Sequence, residues 1–163
     1  MKFSKKNQLS SELLIVDGLW GVGKSVITEL VSVFDNMECW NLEMPFDHIP
    51  ILYEAQALDQ DSAIAVIRNL FDDLTYKMCI SRSVNFRYKD QTSIFHHPKK
   101  YNYLRRLFEQ DGDSSLRKIS ENKMIIPVAT HTSSSNNDLF LRALGKRCKI
   151  IRCVRHPVFI VHH

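Results

Sequence analysis

The octapeptide Gly18-Leu19-Trp20-Gly21-Val22-Gly23-Lys24-Ser25 constrains this chain more than any other stretch. It matches G-x-x-x-x-G-K-[ST], in which small residues let successive backbone N–H groups turn inward around phosphate oxygens while the following helix adds the partial positive charge of its N-terminus. The pattern needs a strand before it and a helix after it. Leu13-Leu14-Ile15-Val16 is an uninterrupted apolar run that enters the loop through Asp17, as expected of a strand in a parallel sheet covered on both faces. Val26 to Phe34 then carries helical periodicity. The backbone from Gly18 through Gly21, Val22 and Gly23 to Val26 is therefore expected to wrap an anion. Lys24 would contact its terminal group, and Ser25 an oxygen or, where the ligand is a magnesium nucleoside triphosphate, the metal.

The rest of the chain continues the alternation. A short strand is expected over Glu38 to Leu42, ending at Glu43, Pro45 and Asp47. A helix follows from Asp61-Ser62 to about Met78, with Ser62 as N-cap and Ala63, Val66, Ile67, Leu70 and Leu74 as its apolar stripe. After a polar, aromatic-rich connection, Arg82 to His97, helices are expected near Tyr101–Glu109 and Ser115–Asn122. The last third reads as a strand from Met124 to Ala129, a polar loop to Asn136, a helix from Asp138 to Leu144 stopped by Gly145, and a strand from Lys149 to Val154. At 163 residues, 44% hydrophobic and 25% charged, this is one domain spanning 1–163. The expected class is α/β, a three-layer P-loop fold with a mainly parallel central sheet. Pro157 opens a further element six residues before the last, so the domain is expected to be a fragment that lacks C-terminal elements.

Composition narrows the partners. A formal charge of +4 without a basic run suits an anionic small molecule better than a nucleic-acid surface. Tyr101, Tyr103, Arg105 and Arg106 read as ordinary core and solvated surface of one helix. Cys39, Cys79, Cys148 and Cys153 have neither disulfide-framework nor zinc spacing and are expected to be buried, reduced thiols, so no metal site is expected among the cysteines and histidines. No run approaches about 18 to 20 apolar residues, and the N-terminus lacks the apolar core of a secretory signal. The expectation is a cytoplasmic chain with no membrane partner.

A second constellation discriminates among phosphate-loop chemistries. A strand enters Ala129-Thr130-His131, and 24 residues beyond His131 a second strand, Lys149-Ile150-Ile151-Arg152-Cys153-Val154, runs into Arg155-His156-Pro157. With the loop, this order resembles the P-loop sulfotransferases, and Ile80-Ser81-Arg82-Ser83-Val84-Asn85-Phe86-Arg87 with Lys100-Tyr101 looks like a group of bacterial sulfotransferase-like proteins. The resemblance implies transfer of a sulfuryl group from 3′-phosphoadenosine 5′-phosphosulfate to a hydroxyl acceptor such as a carbohydrate. It also implies that His131 takes the hydroxyl proton and that Arg155 pairs with the 3′-phosphate. Lys24 and the loop amides would stabilise charge on the transferring and leaving oxygens. Arg82 and Arg87 would be available to contact substrate. The chain departs from the family at Gly21, where a cation is usual, at Ala129, where a lysine is expected, and at His163, where a serine is expected.

Two other readings stay open. Asp17-Gly18-Leu19-Trp20-Gly21-Val22-Gly23-Lys24-Ser25 also looks like the start of thymidylate-kinase-type enzymes, which implies a nucleoside or nucleotide kinase using Mg-ATP, with Glu43 or Asp47 as magnesium-holding acids. The third reading is a nucleotide-binding fragment without turnover.

Overall fold

Strand β1 (Glu12–Asp17) forms because its apolar run is buried from Leu13 onward, leaving only Glu12 partly exposed. The computed structural model describes residues 9–109, 114, 117, 118, 121–131 and 136–161. Helix α1 (Lys24–Ser32) follows the glycine loop directly, and then come β2 (Asn41–Leu42), α2 (Met44–Glu54), α3 (Gln60–Cys79) and α4 (Lys100–Arg106). Strand β3 (Ile125–Thr130), α5 (Asn137–Leu144), β4 (Cys148–Arg152) and α6 (Pro157–Val161) complete the described elements. The strands lie in the order β2-β3-β1-β4 and every pairing is parallel. The chain is thus an α/β protein with a four-stranded parallel sheet, compatible with three layers.

The register sets the ends of three strands side by side, since Asp17 pairs with Thr130 on one flank and with Arg152 on the other. In open parallel sheets ligands bind beyond such carboxyl ends. Pro127 lies within β3, where a missing N–H is costly in a fully paired strand. The short β2 pairs only at Val128 and Ala129, and Met37 bridges at Ile125, so that flank of the ladder skips Pro127.

The main core lies where Leu13, Ile15, Ile126 and Val128 meet α3 and α5. Ala63, Ile67, Phe71, Leu74 and Met78 form the buried stripe of α3, and Leu139, Phe140 and Ala143 that of α5. Each large side chain fully buried there contributes about 1.5–3 kcal/mol. Val66, expected in the stripe, is exposed, and Phe71 takes its place because the helix is rotated to point Ile67 and Met78 inward.

Other boundaries shift for local reasons. Asp59 caps α3 by accepting from the Ser62 N–H at 3.0 Å, so Ser62 is the third helical residue and not the cap. Helix α2 was not expected. Pro45 in its first turn lacks only an N–H that has no helical partner there, so the segment after β2 runs on as a helix and not as a strand exit. The expected strand at Glu38–Leu42 is reduced to two residues, β4 stops at Arg152, and α4 ends at Arg106. The expected helix at Ser115–Asn122 and the loop after His131 fall largely outside the described residues.

Helix α1 packs against β1 and β3 with an unusual face. The residues it buries are Lys24, Thr28 and Ser32, spaced by four, while Val26, Leu30, Val33 and Phe34 are exposed. Surface helices ordinarily do the opposite. The buried hydroxyls are satisfied within the helix: Thr28 donates to the Lys24 carbonyl at 2.7 Å and Ser32 to the Glu29 carbonyl at 2.7 Å.

Candidate functional site

Two glycines let the loop close over the carboxyl ends of the strands. A Cβ on Gly18 would lie 2.6 Å from the Cys153 carbonyl oxygen and 2.9 Å from Val22 Cγ2, so only glycine allows this approach of the loop to the end of β4. The Asp17 carbonyl accepts from the Cys153 N–H at 2.7 Å and fixes that approach. Gly23 caps α1 at φ 91°, a left-handed conformation in which a side chain is strained.

Lys24 is buried at the start of α1, and its ammonium donates to the Gly18 and Leu19 carbonyls, the latter at 3.0 Å, while standing 5.8 Å from the centre of the Trp20 ring. Burial holds its pKa below the ordinary lysine value, against the opposing pull of the Asp17, Asp47 and Cys153 charges. The loop therefore holds a desolvated cation on its own carbonyl oxygens, and an arriving anion would offer that cation a stronger partner.

His131 follows the last residue of β3. Its backbone N–H donates to Asp47 Oδ1 at 2.7 Å, and its Nδ1 lies 3.3 Å from Asp47 Oδ2. Asp47 is buried in the first turn of α2, so the carboxylate grips the histidine by backbone and ring together. Such a grip selects the tautomer with the proton on Nδ1 and leaves Nε2 free to accept one. The Trp20 ring stacks on the imidazole, with centroids 4.0 Å apart and planes 26° from parallel. Neighbouring Thr130 donates to Asp17 Oδ1 at 3.0 Å, a buried contact that ties the ends of β1 and β3 together.

Arg155, three residues past β4, is exposed and donates to the Gly21 carbonyl at 2.9 Å. A cavity of about 300 Å³ is lined by Gly21, Gly23, Lys24, Ser25, Val26, His131 and Arg155, together with Leu19 and Trp20. Gly18 and Val22 face a second, smaller cavity of about 110 Å³ that also reaches Arg152, Cys153 and Arg155. The residues singled out in the sequence thus converge around one loop. Arg82 and Arg87 do not line either cavity; both are exposed, and Arg87 lies 3.8 Å from Asp90.

Two participants were not legible beforehand. Trp20 could be a cover or a stacking platform, and the structure stacks it on His131. The sequence offers Asp47 as a magnesium ligand, a helix cap or a turn residue, and none of these puts it beside His131. Its place beside His131 follows from α2, which the Pro45 and Asp47 pair at a helix start would have signalled. All four cysteines are free thiols; Cys39, Cys79 and Cys148 are buried, and Cys153 is half-buried near Lys24. No protein-family model, curated protein or solved structure matches the chain.

Proposed function

We propose that this chain is a group transferase whose Gly18–Ser25 segment is a phosphate-binding loop, and in its most specific form a sulfotransferase that uses 3′-phosphoadenosine 5′-phosphosulfate and a hydroxyl acceptor. The observation that carries the reading is the Asp47-held His131, 3.3 Å at the ring nitrogen, in the same cavity as Lys24 and Arg155. A buried ammonium, a guanidinium and a glycine-loop backbone suit a polyanionic phosphoester. Bound there, the donor would supply an activated sulfuryl group. His131 Nε2 accepts the hydroxyl proton, and Asp47 stabilises the imidazolium that results. Lys24 leaves the Gly18 and Leu19 carbonyls for the anionic oxygens, where charge develops as the group transfers. Arg155 is the residue available to the 3′-phosphate.

The test is transfer itself, followed as the mass increase of an acceptor incubated with donor. Asp47→Asn is expected to lower kcat by about 100-fold or more with little change in donor KM, in the range for loss of an organised general base. Equal rates in variant and parent would remove the His131–Asp47 pair from the chemistry.

One observation favours a kinase as the second reading. The Asp17 and Asp47 charges both act on the loop's Lys24, and carboxylates beside the loop lysine are what a magnesium nucleotide would need. Under that reading the activity depends on magnesium.

A further inference from the structure

Trp20 belongs to the glycine loop by sequence and to the His131 cluster by contact. Its indole stacks on the imidazole with centroids 4.0 Å apart, yet Trp20 is 74% exposed, so burial in a core does not impose the stack. The loop backbone on both sides holds the indole in place. Lys24 donates to the Gly18 and Leu19 carbonyls just before it, and Arg155 donates to the Gly21 carbonyl just after it at 2.9 Å. Gly21 stands at φ 77°, a left-handed conformation that turns the chain sharply beyond Trp20. The Lys24 ammonium also lies 5.8 Å from the centre of the indole ring, within the reach of a cation–π contact.

These contacts and a bound anion draw on the same donors. A carbonyl is a neutral acceptor, whereas a phosphate oxygen is charged and makes shorter hydrogen bonds of roughly twice the strength. An anion in the cavity that Lys24, Arg155 and Trp20 line therefore takes both cations from the carbonyls flanking Trp20, and with them the hold on the indole. His131 is at the other end of this contact. Asp47 holds the imidazole at its Nδ1 edge, the indole covers one of its faces, and 12% of the side chain is exposed. A molecule approaching that face meets Trp20 first.

We propose that Trp20 is a positioning residue that couples the glycine loop to His131 through two alternative arrangements. In one, Lys24 and Arg155 sit on the loop carbonyls and the indole lies on the imidazole. In the other, both cations hold the anion and the indole swings away, which uncovers His131 for the acceptor. The proposal rests on the phosphate-loop reading, and the benefit to the acceptor rests on the group-transfer reading. Because anion binding then breaks the stack, removing the indole raises anion affinity by about two- to tenfold, the worth of one aromatic pair.

The test is calorimetric titration of inorganic pyrophosphate into the full chain and into Trp20→Leu, with acrylamide quenching of tryptophan emission as a second reading. Pyrophosphate has no ring on which the indole could stack, so it isolates the competition for the two cations. Expected are tighter binding in Trp20→Leu and, in the parent, quenching that rises as pyrophosphate binds. Trp20→Phe should abolish that rise, because the other tryptophan, Trp40, is buried. Position 20 is exposed, so both variants should fold, which circular dichroism checks. Equal or weaker binding in Trp20→Leu, or quenching indifferent to pyrophosphate, would overturn the coupling and leave the phosphate loop standing. Binding to neither protein would overturn the phosphate loop and the coupling together.

Discussion

At the scale of single residues, Lys24 carries two opposed demands. Folding buries its ammonium, which lowers its pKa, and binding needs the charge where it is. Functional groups commonly sit at such a cost to stability. Lys24→Met keeps the length and removes the charge, so anion affinity should fall by about 100-fold or more while Tm stays level or rises. Calorimetric titration and scanning calorimetry measure the two effects. A large fall in Tm would mean that the contacts with Gly18 and Leu19 are structural.

Among the residues, the glycine loop and Lys24 were legible from local spacing, whereas His131 and Arg155 were singled out by resemblance; the structure sets them around one cavity. Asp47 was not legible. Its role depends on α2 returning the carboxylate to His131 across 84 positions of sequence, and no periodicity records such a contact.

At the scale of elements, His97 joins the end of α1 to the loop before α4. Burial lowers its pKa below 6.5, while the Ser32 hydrogen bond and the Glu38 and Glu29 charges pull the other way and Lys99 adds to the lowering. The unfolded chain takes up this proton near pH 6.5 and the folded chain only at lower pH. In that window the unfolded state binds more protons, so the stability contributed by His97 is present above about pH 6.5 and is lost as pH falls toward the folded value. Thermal scans from pH 7.5 to about 5 should show Tm falling, with a shallower fall in His97→Gln. Parallel curves for the two proteins would assign the acid sensitivity elsewhere.

The elements also show where sequence patterns stop deciding. The apolar run of β1 and the stop at Gly145 predicted their structures correctly, since burial and a C-cap at positive φ are local requirements. Helix α1 was expected from its periodicity, but not the direction it faces. Its exposed apolar residues Val26, Leu30 and Val33 line a cavity of about 260 Å³ together with residues from Gln91 to Pro98.

For the molecule as a whole, the α/β class was readable, and α2 and the strand order were not. The central place of β1 emerges only from its pairing with both β3 and β4. The opposite end of the sheet is tied by Glu38 and Arg106, a largely buried pair at 2.7 Å that anchors α4. Burial works against the Arg106 charge, and the hydrogen bond and charge of Glu38 overcome it, leaving the guanidinium above its ordinary pKa. Removing one partner strands the other, so Glu38→Ala should cost about 3–5 kcal/mol in denaturant unfolding. A loss below about 1 kcal/mol would place the pair with exposed bridges instead.

The central claim, that the loop from Gly18 to Ser25 together with His131 and Arg155 forms a site for a 3′-phosphorylated adenine nucleotide, is tested most directly by isothermal titration of the full chain. The nucleotides to compare are 3′-phosphoadenosine 5′-phosphate without magnesium and ATP with it. Tighter binding of the former, reduced in Arg155→Ala and indifferent to magnesium, is the expected result. Preference for Mg-ATP, or binding of neither nucleotide, would contradict it.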